Sequence, residues 1–171
     1  METRGMLAKC LATENLIVEH DPTAETACFS TENRILKLPI LETASENVYN
    51  MFVGHEVGHA LQTPQKWYDD VPDDVPFDFV NVIEDIRIEE FIQDKYPGLR
   101  KDFRAGYNEL IELDFFDLAG KDVHKLSFID RINLHYKLGE RAFMPFSDDE
   151  QPLLQQITSC KTWEDVVEAA K

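Results

Sequence analysis

The sequence predicts an α+β fold, mostly helical, with a small antiparallel β-sheet beside a helix carrying His55-Glu56-x-x-His59 and a second helix carrying Glu84. Three observations predict it. Short β-like runs are confined to residues 16–38, longer stretches of helical spacing follow them, and capping or breaking residues separate the two kinds. With 171 residues, 43% of them hydrophobic, the chain has material for one domain over 1–171 with its own core.

Met6, Leu7, Cys10 and Leu11 repeat at helical spacing, so a short helix is expected over 6–13. Leu16-Ile17-Val18, Thr26-Ala27-Cys28-Phe29 and Ile35-Leu36-Lys37-Leu38 are expected strands, each closed by a turn-forming run or by Pro39. Thr43-Ala44-Ser45-Glu46 fits a capping box opening a helix near residue 44, which must stop before Pro64. The stretch from Trp67 to Pro76 holds Pro72, Pro76 and four aspartates, and is expected to be an exposed loop. It lacks the Asp-x-Asp-x-Asp-Gly order of a calcium loop. From Phe77 to about Asp94 the pattern is helical and apolar nearly all round, the mark of a buried helix, and Pro97-Gly98 ends it. Further helices are expected over 100–116 and 127–138, and a last one opens at the capping box Thr162-Trp163-Glu164-Asp165. No Gly or Pro stops that helix before Lys171, which suggests a chain cut from something longer.

Seventeen Lys and Arg against 33 Asp and Glu give a net charge of −16, which argues against nucleic acid or an anionic membrane as partner. Eleven Phe, five Tyr and two Trp are too many for a disordered chain. Cys10, Cys28 and Cys160 are odd in number and lack CxxC spacing, so they are expected as small core residues of a reduced protein. No apolar run approaches 18 residues and no signal-peptide core is present, so a soluble, cytoplasmic protein is expected.

The chemistry lies in Gly54-His55-Glu56-Val57-Gly58-His59. Histidines four apart on a helix share a face and can reach one zinc ion, with the adjacent Glu56 as general base. Composition alone produces such a match in roughly one chain in seventy, and the uncharged helical surroundings lower that further. A catalytic zinc takes a third protein ligand. His20, His124 and His135 are candidates, but the buried helix is the better source, because a carboxylate in an apolar helix is costly unless paired or metal-bound. Glu84 is the expected ligand, with Asn81 and Asp85 behind the imidazoles. Asp85 is the alternative ligand, and a Glu84–Arg87 ion pair the bland reading.

These two helices resemble the gluzincin arrangement of zinc metallopeptidases. The residues from Gly54 to Leu61, followed by Asn81-x-x-Glu84-Asp85-x-Arg87-x-Glu89, are similar to predicted phage and bacterial metallopeptidase-like proteins. In those, the zinc part precedes a von Willebrand factor A-type domain, as in the cobaltochelatase T subunit and relatives that work beside MoxR-type AAA ATPases. Glu14-Asn15-Leu16, Leu36-x-Leu38-Pro39 and Phe103-Arg104-x-Gly106-Tyr107 add to the likeness. The gluzincin pattern places an Asp four residues after the ligand Glu, but position 88 is Ile. Asp85 or Asn81 would take that role, or Asp85 binds the metal with Glu89 behind it.

The resemblance implies a zincin-like fold, zinc as cofactor and a peptide or protein substrate hydrolysed by a zinc-activated water with Glu56 as base, in a host cytoplasm if phage-encoded. It also implies an oxyanion stabiliser, for which Tyr107 is preferred over His124, His135 and Tyr136, and an edge strand for the substrate, expected at Ile35–Leu38. The competing expectation is a non-proteolytic zinc-bearing interaction module, with an AAA ATPase or von Willebrand A-type protein as partner. The acidic surface would steer basic substrates, or serve only solubility.

Overall fold

The structure, a computed structural model, describes residues 2–13, 16–40, 44–139 and 143–171. Glu14, Asn15 and the expected cap residue Thr43 lie outside them. Among the described residues the fold is mostly helical with one small sheet, an α+β protein. Helix α1 spans Glu2–Ala12, longer than expected, and sends Ala8, Leu11 and Ala12 into the core.

Strands β1 (Ile17–Asp21), β2 (Cys28–Ser30) and β3 (Ile35–Pro39) form a sheet in the order β1-β3-β2. The sheet is mixed, not antiparallel. A four-residue turn joins β2 to β3 as an antiparallel hairpin, whereas the longer loop after Asp21 carries the chain past β3, so that β1 pairs with it in parallel. That loop begins with a turn in which the Thr23 N–H and hydroxyl both donate to Asp21 Oδ1, at 2.8 and 2.6 Å. The expected edge strand, Ile35–Leu38, is therefore the central one. Its backbone is bonded on both sides and Leu36 and Leu38 are fully buried, leaving β1 and β2 as the edges.

Helix α2 (Glu46–Gln62) starts at Ser45, whose hydroxyl accepts from the Val48 N–H, and ends at Thr63 immediately before Pro64. Helix α3 (Phe77–Lys95) follows the acidic loop, which contains only a single 3-10 turn at Trp67–Asp69. These two helices pack unusually close. A Cβ on Gly58 would stand 2.9 Å from Ile88 Cδ1 and 3.2 Å from the Ile88 carbonyl oxygen, so glycine there sets their separation.

Helix α4 (Leu99–Glu112) ends four residues earlier than expected, at a turn in which Asp114 takes φ 52°. Helix α5 (Phe128–Leu138) is capped by Ser127. Helix α6 (Gln151–Thr158) falls outside the predicted elements, and Pro152 occupies its first turn, where a missing N–H breaks no bond. Helix α7 (Trp163–Ala169) opens with the expected Thr162–Asp165 capping box.

Two apolar clusters flank α3. One joins α1, the sheet, α2 and α4, and the other joins Val80, Ile83 and Ile86 of α3 to α5, α6 and α7. This is why α3 is apolar nearly all round. Of the cysteines only Cys160 is buried. Cys10 and Cys28 are exposed, against expectation, because short strands and amphipathic helices leave one face to solvent. No helix among the described residues is long and apolar enough to cross a membrane.

Candidate metal centre

One helical turn of α2 places His55 and His59 side by side, ring centroids 5.0 Å apart. Across the close α2–α3 contact, Asp85 Oδ1 lies 3.5 Å from His55 Nε2 and 3.3 Å from His59 Nε2. Asp85 Oδ1 is buried and has no hydrogen-bond partner among the described residues. A buried acceptor without a donor is costly, and what surrounds this one decides how the cost is met.

The other nitrogen of each imidazole is engaged. His55 Nδ1 lies 2.8 Å from Glu89 Oε1, a carboxylate that only accepts, so in the neutral ring Nδ1 carries the proton and Nε2 presents its lone pair. His59 Nδ1 lies 2.9 Å from Thr63 Oγ1. That hydroxyl donates to Glu84 Oε1 at 2.5 Å, so it accepts from the ring, and Nε2 is again the lone pair. With both rings neutral, three acceptors thus converge with no donor among them; a proton on His55 Nε2 would instead point at Asp85. The chemistry of this donor set, two imidazoles and one carboxylate, fits a divalent cation.

Behind the three groups are two chains of hydrogen bonds. Glu89 receives the buried Tyr107 hydroxyl as well as His55. Glu84 is held by Arg87, Nη2 to Oε1 at 2.7 Å and Nε to Oε2 at 2.8 Å, and Arg87 reaches on to the Gln62 carbonyl at 3.1 Å. Lys137 of α5 sets its Nζ 3.3 Å from Asp85 Oδ2.

A cleft of about 440 Å³ opens over His55, Glu56, His59, Asp85 and Lys137. Burial raises the Glu56 carboxyl pKa against the opposing pull of the two histidines. Burial works against an imidazolium at His55, but Asp85 and Glu89 outweigh it and take the pKa up to about 9. Asp85 is held well below the ordinary carboxylate range despite burial, because His55 and Lys137 favour its charge. Positive charge is drawn to the point where the acceptors meet.

No family model, curated protein or solved structure matches the chain.

The sequence brought His55, Glu56 and His59 to one site, and the structure places them there. The carboxylate that completes the group is Asp85 rather than the expected Glu84, which is spent on Arg87 and Thr63. Asn81 sits on the exposed rim of the cleft, and Glu89 and Thr63 hold the imidazoles instead. Tyr107 lines the cleft, but its hydroxyl is committed to Glu89. His124 lies in a 3-10 turn and His135 packs against Phe146, with ring centroids 5.5 Å apart. Neither these two nor Tyr136 and His20 line the cleft. Thr63 and Lys137 were missed. Thr63 carried a usable signal, since it lies four residues beyond His59 on the same helical face. Lys137 carried none, because α5 is remote in sequence.

Proposed function

We propose that the protein is a zinc-dependent metallopeptidase of gluzincin-like arrangement, with His55, His59 and Asp85 as metal ligands and Glu56 as general base. The observation that carries the reading is the convergence of three acceptors at the floor of the cleft, one of them the buried Asp85 Oδ1 with no hydrogen-bond partner among the described residues, beside the buried carboxylate of Glu56. Asp85 and Glu89 keep the four-residue spacing by which gluzincins hold a ligand histidine, shifted one position and with the acids exchanged.

Zinc held there would supply a water of pKa about 7 and a Lewis acid for the scissile carbonyl. The chain's own groups do the remainder. Glu56, raised in pKa by burial, takes a proton from the attacking water as its oxygen bonds to the carbonyl carbon, and delivers a proton to the amine nitrogen as the C–N bond breaks. Glu89 and Thr63 hold the imidazole rings, and Lys137 holds Asp85 by its outer oxygen. Strand β2, an edge of the sheet, contributes Cys28 and Phe29 to the cleft, with Ala27 just before it, so its free side is available to an extended peptide.

The test is metal content by plasma mass spectrometry on protein purified without chelator or His-tag, followed by a peptide-library digest. About one zinc per chain, with cleavage that disappears in Glu56→Gln, is the expected result. Zinc without hydrolysis would favour the interaction-module reading, and no zinc binding would overturn both.

A further inference from the structure

The net charge of −16 points to basic substrates, but the cleft itself points elsewhere. Its carboxylates are spoken for near the metal-ligating group. Glu84 is paired with Arg87, and Asp85 is shared between the histidines and Lys137, so Glu56 alone remains. The walls are apolar. On one side stand Trp67 and Phe77, ring centroids 5.3 Å apart, with Val80 one turn further along α3. On the other stand Leu110 and the pair Phe115–Phe116, 5.4 Å apart, in the turn after α4.

Two of these rings are open to solvent, Phe77 at 54% and Phe115 at 40% exposure, each resting on one neighbouring ring, Trp67 and Phe116 respectively. Single exposed apolar residues are ordinary. Two exposed aromatic rings lining one cleft of about 440 Å³ give it an apolar mouth, within the size range of sites that enclose small ligands or side chains. A lysine side chain placed against these apolar residues would lose water and meet no free carboxylate among them, whereas a phenylalanine or leucine would cover exposed aromatic surface.

We infer that the cleft selects peptides with a bulky apolar side chain beside the scissile bond, received by the apolar lining that includes Phe77 and Phe115, and that the acidic surface plays no part in the choice. This rests on the peptidase reading above and names its substrate class.

The test measures binding apart from turnover. Zinc-loaded Glu56→Gln protein is titrated with blocked hexapeptides identical except for Phe, Leu, Lys or Asp at one central position, and wild type is assayed for cleavage of the same set. Binding is followed by calorimetry. The Phe and Leu peptides are expected to bind at least tenfold more tightly than the Lys and Asp peptides, a difference of 1.4 kcal/mol or more. Phe77→Ala with Phe115→Ala, both at solvent-exposed positions, should abolish most of that difference while the circular dichroism spectrum stays that of wild type. Equal binding, a preference for Lys, or no binding by any of the four peptides would overturn the inference. Cleavage by wild type in any of those cases would leave the peptidase reading standing, and its absence would bring down both.

Discussion

Arg87 and Glu84 form a two-point ion pair one helical turn apart, with both side chains at least 95% buried. Removing one member leaves the other's charge uncompensated in the interior, which costs about 3–5 kcal/mol. Glu84→Gln and Arg87→Met should each lower the unfolding free energy, read from denaturant titration, by that much while the folded protein still binds metal. If Glu84→Gln instead loses the metal with stability unchanged, Glu84 is the ligand after all.

Asp85→Ala should remove metal binding. Its neighbours Glu84 and Arg87 remain paired, so the circular dichroism spectrum should be that of wild type. Zinc retained at wild-type affinity in Asp85→Ala would exclude the His55–His59–Asp85 group.

Glu89→Gln should weaken zinc binding about 10- to 100-fold, because the amide cannot hold His55 Nδ1–H as the carboxylate does. Tyr107→Phe should act by the same route and more weakly, since Tyr107 touches Glu89 and not the histidines. A Tyr107→Phe protein with wild-type zinc affinity and a hundredfold lower kcat would restore Tyr107 as an oxyanion stabiliser.

Gly58→Ala should separate α2 from α3. The added methyl meets the Ile88 Cβ and carbonyl oxygen, each at 3.2 Å, and neither can rotate away. Overpacking of this kind costs about 1–3 kcal/mol. Metal affinity should fall as well, because the ligands come from both helices. Unchanged melting and zinc affinity would show that the contact is not what sets the helix separation.

Stability at low pH should depend on Glu150. Arg131 and the Ser147 N–H hold its carboxyl down to about 2, against an ordinary 4.5. A lowered native pKa stabilises fully above 4.5 and is lost as pH falls towards 2. Melting curves of wild type and Glu150→Gln should therefore differ at pH 7 and converge near pH 2. A gap of constant size across that range would show that the pair contributes nothing through its charge.

The local grammar of the chain was legible without coordinates. Pro64 ended α2, Thr162 and Asp165 capped α7, and all-round apolarity marked α3 as buried, since each signal acts within a few residues. The His55–His59 pair was legible for the same reason, the helical repeat fixing its geometry. Strand order was not. The alternation in Ile35–Leu38 shows which side chains are buried but not which strands flank them, and so the central strand was taken for an edge.

The choice between Glu84 and Asp85 was beyond the sequence for a physical reason. Adjacent residues on a helix point about 100° apart, so either carboxylate could face α2, depending on how α3 is rotated. That rotation is set by tertiary contacts: Ile88 seated on Gly58, and Arg87 turned towards the Gln62 carbonyl, taking Glu84 with it. The residues three and four apart then divide into two faces, Glu84 with Arg87 and Asp85 with Glu89. The sequence determined that a carboxylate of α3 would meet the histidines. Only the packing of α3 on α2 decided which one.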